Sequence, residues 1–526
     1  MSEPSAPNPR TESSILLAHA KARVGAPPPG SALSDLAADL SLDEVARRRG
    51  LPLPALLGIR TFYDQLDRFT RVCEGTACHF GGGALVRERL EAMGPVGGIR
   101  CLGHCHAAPA FRSGNKVYAR PAHESVEGWL DEWGEGPSPV VDLAPASRLS
   151  LAPEPVVLRH LLPGAGESPW LAYALPDAET LLARVEASRV LATADEPAGL
   201  ATAWRDAREA GEARRVVVAN GDEGDPGTYV GRLLMEEDPH HVLAGMAACA
   251  RAIGATEGVV FVRAEYPQAA RSMRAAIAVA RSRGVLGPPF DVEVVIGAGS
   301  YLCGDEGALL RSIEGLRGEP APPAPSGAAH GLHGRPTVVH DVPTLARIAW
   351  AAREGRHVPT LAVCLSGAVR RPGVIEVPEG TPLRDVLQRG GGGEPEGVRW
   401  GMALVGGPVG RVLPESRFDT PLSHASLPGL GGAGVVVLPA SVTPRALAEH
   451  LFAFARSESC GACAPCRIGV THLESQRERA GMERLLRTIE TGSLCALGRN
   501  VPRPIRDLLE HFGEEALVGA LERSAP

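Results

Sequence analysis

The 526 residues correspond, at roughly 150 per domain, to about three to four domains. A hydrophobic share of 44%, a charged share of 22% and a mean hydropathy of -0.02 describe soluble globular protein rather than a disordered chain. A formal charge of -7 leaves no basic footprint for nucleic acid. No apolar run reaches the roughly 18 residues of a membrane helix, and the N-terminus, with Pro4, Pro7 and Pro9, lacks a basic-then-apolar signal layout, so the expectation is a cytoplasmic protein with no direct membrane insertion.

Residues 1–30 are Pro- and Ala-rich and are expected to be mobile, and a helical pattern runs from Ala32 through Leu51. The first cysteine group follows as Cys73-x4-Cys78 and Cys101-x3-Cys105. Eight of the eleven cysteines fall in two such groups, too few for a disulfide scaffold and too clustered for chance, which points to metal. On spacing alone this group suits a 2Fe-2S cluster or a zinc ion equally. Gly75, Gly81 to Gly83 and Gly103 allow backbone amides to approach the sulfurs, and such bonds tune a cluster's potential. His79, His104 and His106 flank the cysteines, and with four thiolates available they read as outer neighbours or solvent groups.

A Gly/Pro stretch at 134–139 reads as a linker. Beyond it, β-branched runs alternate with amphipathic segments, which predicts a parallel α/β core with strands at 216–218, 259–262 and 292–296 and a helix over 269–283. From 359 to 441, short strands punctuated by Gly390 to Gly393 and Gly429 to Gly434 predict a small β-rich unit. From Pro444 the periodicity is helical. This tail carries Cys460-x2-Cys463-x2-Cys466, with Cys495 further on. Three closely spaced thiolates wrap three corners of a cube and a distant fourth closes it, so a 4Fe-4S cluster is expected, with zinc the minor option. Cys249, Cys303 and Cys364 read as buried small hydrophobes.

Neighbouring residues add a resemblance. Val72-Cys73-Glu74-Gly75-Thr76-Ala77-Cys78-His79 and Cys101-Leu102-Gly103-His104-Cys105-His106-Ala107-Ala108-Pro109, with Thr61-Phe62-Tyr63 upstream, resemble the thioredoxin-like 2Fe-2S ferredoxins, the 24 kDa-type subunit of respiratory complex I. Asn220-Gly221-Asp222-Glu223-Gly224-Asp225-Pro226-Gly227-Thr228-Tyr229, Arg263-Ala264-Glu265-Tyr266, Gly297-Ala298-Gly299-Ser300-Tyr301-Leu302-Cys303-Gly304-Asp305-Glu306 and Ser312-Ile313-Glu314-Gly315 resemble successive motifs of the NADH-binding 51 kDa-type (flavoprotein 1) subunit of complex I. Related subunits serve NAD-reducing hydrogenases and NAD-dependent formate dehydrogenases. Glu458-Ser459-Cys460-Gly461-Ala462-Cys463-Ala464-Pro465-Cys466-Arg467-Ile468-Gly469, with Cys495, resembles that family's cluster loop, although the spacer to Cys495 is shorter. Leu365-Ser366-Gly367-Ala368-Val369-Arg370-Arg371-Pro372-Gly373 resembles the opening of a soluble-ligand-binding β-grasp domain.

The resemblance implies a multidomain α/β protein: a mobile segment 1–30, a thioredoxin-like ferredoxin over 31–138, a Rossmann-like α/β core over 139–355, a β-grasp domain over 356–442 and a helical bundle with a 4Fe-4S site over 443–526. It implies a diaphorase-type protein, in which NADH gives a hydride to FMN and electrons pass to the clusters, because a flavin links a two-electron donor to one-electron acceptors. Partners would be other subunits of a hydrogenase-, formate dehydrogenase- or complex I-like assembly. Asn220, Asp222, Glu223, Asp225, Tyr301 and Glu306 take the positions of flavin and nicotinamide contacts, with Asp222, Glu223 and Asp225 as the catalytic candidates.

One pocket departs from the family. The glycine-rich loop that cradles the FMN phosphate is replaced by Leu191-Ala192-Thr193-Ala194-Asp195-Glu196-Pro197-Ala198-Gly199-Leu200-Ala201-Thr202-Ala203-Trp204, where only Trp204 survives and Ala203 takes the lysine position. Glycines let amides close on phosphate, whereas Asp195 and Glu196 add negative charge. His340 and Asp341 replace two amides expected to contact flavin, and Asp305 and Gly307 are smaller changes. Both cysteine sets remain whole. These changes support an alternative reading, a flavin-free iron-sulfur relay or structural subunit that has lost FMN and NADH binding.

Overall fold

The computed structural model describes residues 32–514 and residue 517, apart from 38–39, 64–69, 115, 122–123, 134–146, 167–173, 189–198, 212–213, 321–329, 357, 477 and 515–516. The segment 1–30, the linker at 134–139 and residues 191–198 of the altered loop lie outside the described residues.

The helical stretch expected over 32–51 is divided into two short helices, Ala32–Ala37 and Leu42–Arg49, and a third, Leu53–Arg60, follows it. Ser41 and Glu44 make a reciprocal capping box at the start of the second, and Gly50 at φ 65° ends it. Val45, Leu56 and Ile59 from these helices cover one face of the central sheet, beside Val216, Val218, Val259 and Phe261. The N-terminal helices are therefore a layer of the α/β core, although their place in the sequence groups them with the ferredoxin-like unit.

The first sheet has the order β2-β1-β3-β4, from β1 (Thr70–Cys73), β2 (Val96–Ile99), β3 (Ala110–Ser113) and β4 (Lys116–Ala119). The next strand, β5 (Arg148–Ser150), crosses over to pair with residues 374–376 in the third sheet, so residues 148–150 belong with the β-rich unit and not with the core that follows them.

The core sheet is β6 (Val216–Gly221), β7 (Glu257–Val262), β8 (Asp291–Ile296) and β9 (Thr337–Asp341), all parallel, in the order β8-β7-β6-β9. Its central strands read as continuous apolar runs because both faces are covered. Val217, Ala219, Val260 and Val262 face helices Pro239–Ile253 and Val342–Glu354, while the alternate residues face the N-terminal helices. The chain winds outward from β6 to β8 and then returns to place β9 on the other side of β6. This reversal puts a topological switch point between the carboxyl ends of β6 and β9, where open α/β sheets form their ligand crevice.

The third sheet is mixed, with β10 (Thr360–Gly367), β11 (Gly373–Pro378), β12 (Trp400–Val405), β13 (Arg411–Pro414) and β14 (Gly434–Pro439) in the order β13-β12-β14-β10-β11-β5. Helices Pro444–Glu458, Ala464–Leu473, Arg479–Gly492, Ala496–Asn500 and Pro502–Phe512 complete the chain. Among the described residues no helix is long and apolar enough to cross a membrane.

Candidate functional site

The switch point gathers the residues singled out from the sequence. Asn220, the penultimate residue of β6, sits opposite Asp341 at the end of β9, and Ala219 pairs with His340. The backbone then leaves the sheet through the acidic segment 222–229 before helix Val230–Glu237 begins. This segment is no solvated turn. Asp222 is 8% exposed, its neighbours Glu223 and Asp225 are half-buried, and burial raises all three carboxyls, to about 7, 7 and 6 respectively.

Each acid has a distinct position. The Glu223 carboxylate accepts from the amides of Gly231 (2.9 Å) and Arg232 (3.1 Å), so it holds the start of the following helix. Asp225 Oδ1 accepts from the Tyr301 hydroxyl at 2.8 Å. Asn220 is satisfied within the protein, donating to the Gly304 carbonyl (3.0 Å) and accepting from the Asp222 amide (3.0 Å). Asp222 Oδ1 is buried with no hydrogen-bond partner, and its nearest cation, Arg263 Nε, lies 3.8 Å away. Glu306 is exposed at the start of helix Glu306–Ile313, which Asp305 caps through the amides of Gly307 and Ala308.

On the β9 side, His340 is 3% exposed and burial lowers its pKa to about 3, so its neutral ring accepts from Trp204 Nε1 at 2.8 Å. Asp341 caps helix Val342–Glu354 through the Thr344 amide at 2.6 Å. A buried carboxylate oxygen without a donor at a switch point fits one N-H of a flavin ring. The same crevice holds His340 and Asp341 in internal bonds, and the residues aligned with the phosphate-binding loop are described only from Gly199 onward.

The first cysteine set converges beside this segment. Cys73 ends β1, Cys78 closes the turn Thr76–Cys78, and Cys101 and Cys105 lie on the loop before β3; all four are buried. Cys101 Sγ is 3.6 Å from Cys105 Sγ, and hydrogen bonds with Cys101 and Cys78, reinforced by burial, hold the Cys73 thiol well above its ordinary range. Two amides aim at the sulfurs: Gly103 donates to Cys101 Sγ and Gly227, from the acidic segment, to Cys105 Sγ, each at 3.3 Å. Gly103 has φ 73° and a Cβ there would overlap the Tyr266 ring, so glycine is required by conformation and by space. Four buried sulfurs linked pairwise, from Cys78 through Cys73 and Cys101 to Cys105, with two amide donors, fit a four-thiolate cluster or ion. His79 turns away to stack on His450 at 4.5 Å, and His106 lies 5.2 Å from the Tyr229 ring.

Two arginines to which the sequence reading gives no site role brace this set. Arg263, 4% exposed, donates to the Cys101 carbonyl (3.0 Å), to the Glu223 carbonyl and to Glu265. Arg232, 2% exposed, donates to the Gly103 carbonyl (3.1 Å) and to Glu236 (2.7 Å). Both lie in or beside the acidic-segment motifs, but their roles depend on contacts 162 and 129 residues away in the chain.

The second set is half-exposed at Cys460 and Cys463 and buried at Cys466 and Cys495. Cys463 and Cys495 are the N-cap residues of helices Ala464–Leu473 and Ala496–Asn500. The Ala462 amide donates to Cys460 Sγ at 3.5 Å, Gly461 takes φ 78°, and Ser459 Oγ lies 3.4 Å from Cys466 Sγ. Burial pushes the Cys466 thiol up to about 11, so the deprotonation that cluster binding requires is costlier at this position than at a free thiol. Tyr301 connects this unit to the acidic segment: its amide donates to Glu458 at 3.2 Å and its ring packs edge-on against Phe454. Cys249, Cys303 and Cys364 are buried, as expected.

Fold and site together define an α/β iron-sulfur electron-transfer protein with a nucleotide-type crevice. Three family profiles match: the Nuo51 FMN-binding domain over 197–350, the SLBB domain over 362–413 and the NADH-ubiquinone oxidoreductase-F iron-sulfur binding region over 446–518. The F 2 subunit of NADH-quinone oxidoreductase from Rhizobium meliloti (strain 1021) is 36% identical over 355 residues, 61% of this chain and 84% of that protein. The HndC subunit of the NADP-reducing hydrogenase of Solidesulfovibrio fructosivorans is 36% identical over 345 residues, 60% of this chain and 70% of its own. A crystal structure of NAD+-reducing [NiFe]-hydrogenase in the H2-reduced state superposes with a TM-score of 0.79 at 27% identity, covering 97% of this chain and 93% of that one. The chain belongs to the family of 51 kDa-type (F-type) subunits of NADH-quinone oxidoreductase. It carries that family's FMN-binding domain and 4Fe-4S region, and its function is electron transfer of the NADH dehydrogenase type.

Proposed function

We propose that the chain fuses a thioredoxin-like 2Fe-2S ferredoxin to a diaphorase-type unit, and that it exchanges electrons with NAD(H) inside a cytoplasmic hydrogenase-, formate dehydrogenase- or complex I-like assembly. The observation that carries this reading is the convergence of Asn220, Asp222, the Tyr301–Asp225 pair and both cysteine sets around one switch point. Cys73, Cys78, Cys101 and Cys105 would hold the 2Fe-2S cluster, and Cys460, Cys463, Cys466 and Cys495 the 4Fe-4S cluster. Bound FMN would supply the exchange between a two-electron donor and one-electron acceptors. Asp222 offers a buried acceptor to a ring N-H, Tyr301 and Asp225 fix one wall of the crevice, and Glu223 fixes the helix behind it. The amides of Gly103 and Gly227 offset negative charge on the cluster sulfurs.

A second reading, a flavin-free relay, is favoured by the His340–Trp204 bond and the Asp341 cap, which commit two expected flavin contacts to the scaffold. Flavin content decides between them. The protein is purified anaerobically after supplying FMN, its iron is quantified, and released flavin is measured by fluorescence. Near-stoichiometric FMN supports the diaphorase; iron-replete protein without flavin supports the relay.

A further inference from the structure

A second crevice, remote in character from the first, opens between the unit that holds the first cysteine set and the segment leading into the second. It encloses about 510 Å³, within the roughly 300–1,000 Å³ of small-molecule sites. Most such sites are apolar, whereas this one is walled by charge. Arg71, Arg87 and Arg100 approach from one side and Arg317 from the other, against only two carboxylates, Glu74 and Glu458. Four guanidinium groups face two carboxylates in the lining, and Arg87 also pairs with Glu91 at 3.4 Å outside it, which leaves an excess of positive charge in a chain whose net charge is -7.

The carboxylates are shared among the arginines. Glu74 takes Arg87 and, at 3.0 Å, Arg100, which also faces Glu458 at 3.7 Å. Arg71 donates to the Gly98 carbonyl (2.9 Å) and Arg317 to the Cys460 carbonyl (2.5 Å), which fixes the direction of both forks. Arg317 Nε is buried without a hydrogen-bond partner, and its guanidinium lies over the Phe62 ring at 5.0 Å. The floor is kept low by glycine: a Cβ at Gly98 would stand 2.6 Å from the Glu74 carboxylate. Rigidly held guanidinium forks with surplus positive charge match the paired oxygens of phosphate.

We propose that this crevice is an anion site for a phosphate-bearing small molecule, placed so that its occupant lies beside the Cys460 loop. Glu74 is its internal competitor: it neutralises Arg87 and Arg100 in the empty site and is repelled by an incoming phosphate. The proposal does not rest on flavin or NADH binding elsewhere in the chain.

Calorimetric titration of the iron-replete full-length protein tests it, with inorganic phosphate and ADP as probes and sodium chloride at matched ionic strength as the control. Arg87→Ala should weaken binding about tenfold, as expected for the loss of one charge-assisted bond. Glu74→Gln should tighten it. A structural role alone would not give these opposite signs, and both side chains are partly exposed, so both variants should fold. Binding of both probes with these shifts supports the site. Binding of phosphate alone or of ADP alone, with the same shifts, supports it and identifies the free anion or the nucleotide as the source. No heat above the chloride control, or affinity unchanged in both variants, overturns it.

Discussion

Asp222 is the side chain whose surroundings serve it least. Its carboxylate is buried, one oxygen has no donor, and Arg263 is too distant to bond, so burial moves its pKa from 3.8 to about 7. The folded state thus holds a proton that the unfolded chain releases near its ordinary value. The stability this contributes is complete below about pH 4 and is lost as pH rises through about 7. Glu223 and Asp225, raised by burial to about 7 and about 6, act in the same direction. Asp222→Asn should therefore gain stability relative to the parent at about pH 8 and much less at about pH 5; urea midpoints at both pH values that differ by the same amount would refute this. Glu223→Ala removes the acceptor of two amides at a helix start and should cost about 1–2 kcal/mol while slowing NADH oxidation with both clusters intact. Unchanged NADH oxidation would remove Glu223 from the site. Cys463→Ala should abolish the low-temperature 4Fe-4S paramagnetic signal and leave that of the proposed 2Fe-2S cluster, and survival of both would overturn the ligand assignment.

At the scale of elements, the core depends on one close crossing. Helix Pro239–Ile253 meets helix Val342–Glu354 at Gly245, where a Cβ would overlap the Leu345 carbonyl oxygen. Backbone cannot move aside as a flexible side chain does, so Gly245→Ala should destabilise the protein by about 3 kcal/mol or more, read as a fall in the urea midpoint with iron content preserved. The valine runs of β6 and β7 were legible because a strand covered on both faces needs no alternation. The edge of the third sheet was not: β5 is three residues long and pairs across 226 residues with β11, which no local pattern encodes. The helical stretch after Ala32 divides at signals the sequence does contain, the Ser41–Glu44 capping box and Gly50, which apolar periodicity alone overrode. The cysteine ligands were legible because ligand spacing is local, whereas Arg232 and Arg263 act on loops that reach them only through the tertiary fold.

At the scale of the whole molecule, the two cysteine sets belong to units that are bonded together and not merely adjacent. Gly227 of the core donates to Cys105, Arg317 donates to the Cys460 carbonyl, and Tyr301 bonds both the acidic segment and Glu458. A buried direct link between the terminal units is His450, on helix Pro444–Glu458 and 4% exposed. Its Nε2 lies 3.1 Å from the Thr76 hydroxyl, two residues before Cys78, and its ring stacks on His79. Burial lowers its pKa to about 3, so the ring is neutral and the link does not weaken by charging near neutral pH. His450→Ala leaves a cavity at the interface and a buried hydroxyl without its partner, together worth about 2–4 kcal/mol. If this contact couples the units, Thr76→Val in the His450→Ala background should cost less than in the parent by about 1 kcal/mol. Calorimetry should then show two transitions in the variant against one in the parent, with chelator-driven loss of the absorbance of the proposed 2Fe-2S cluster accelerated and the 4Fe-4S absorbance unaffected. Equal acceleration of both losses would mean that His450 supports its own helix alone, and additive costs in the double variant would mean that the two units unfold independently of this contact.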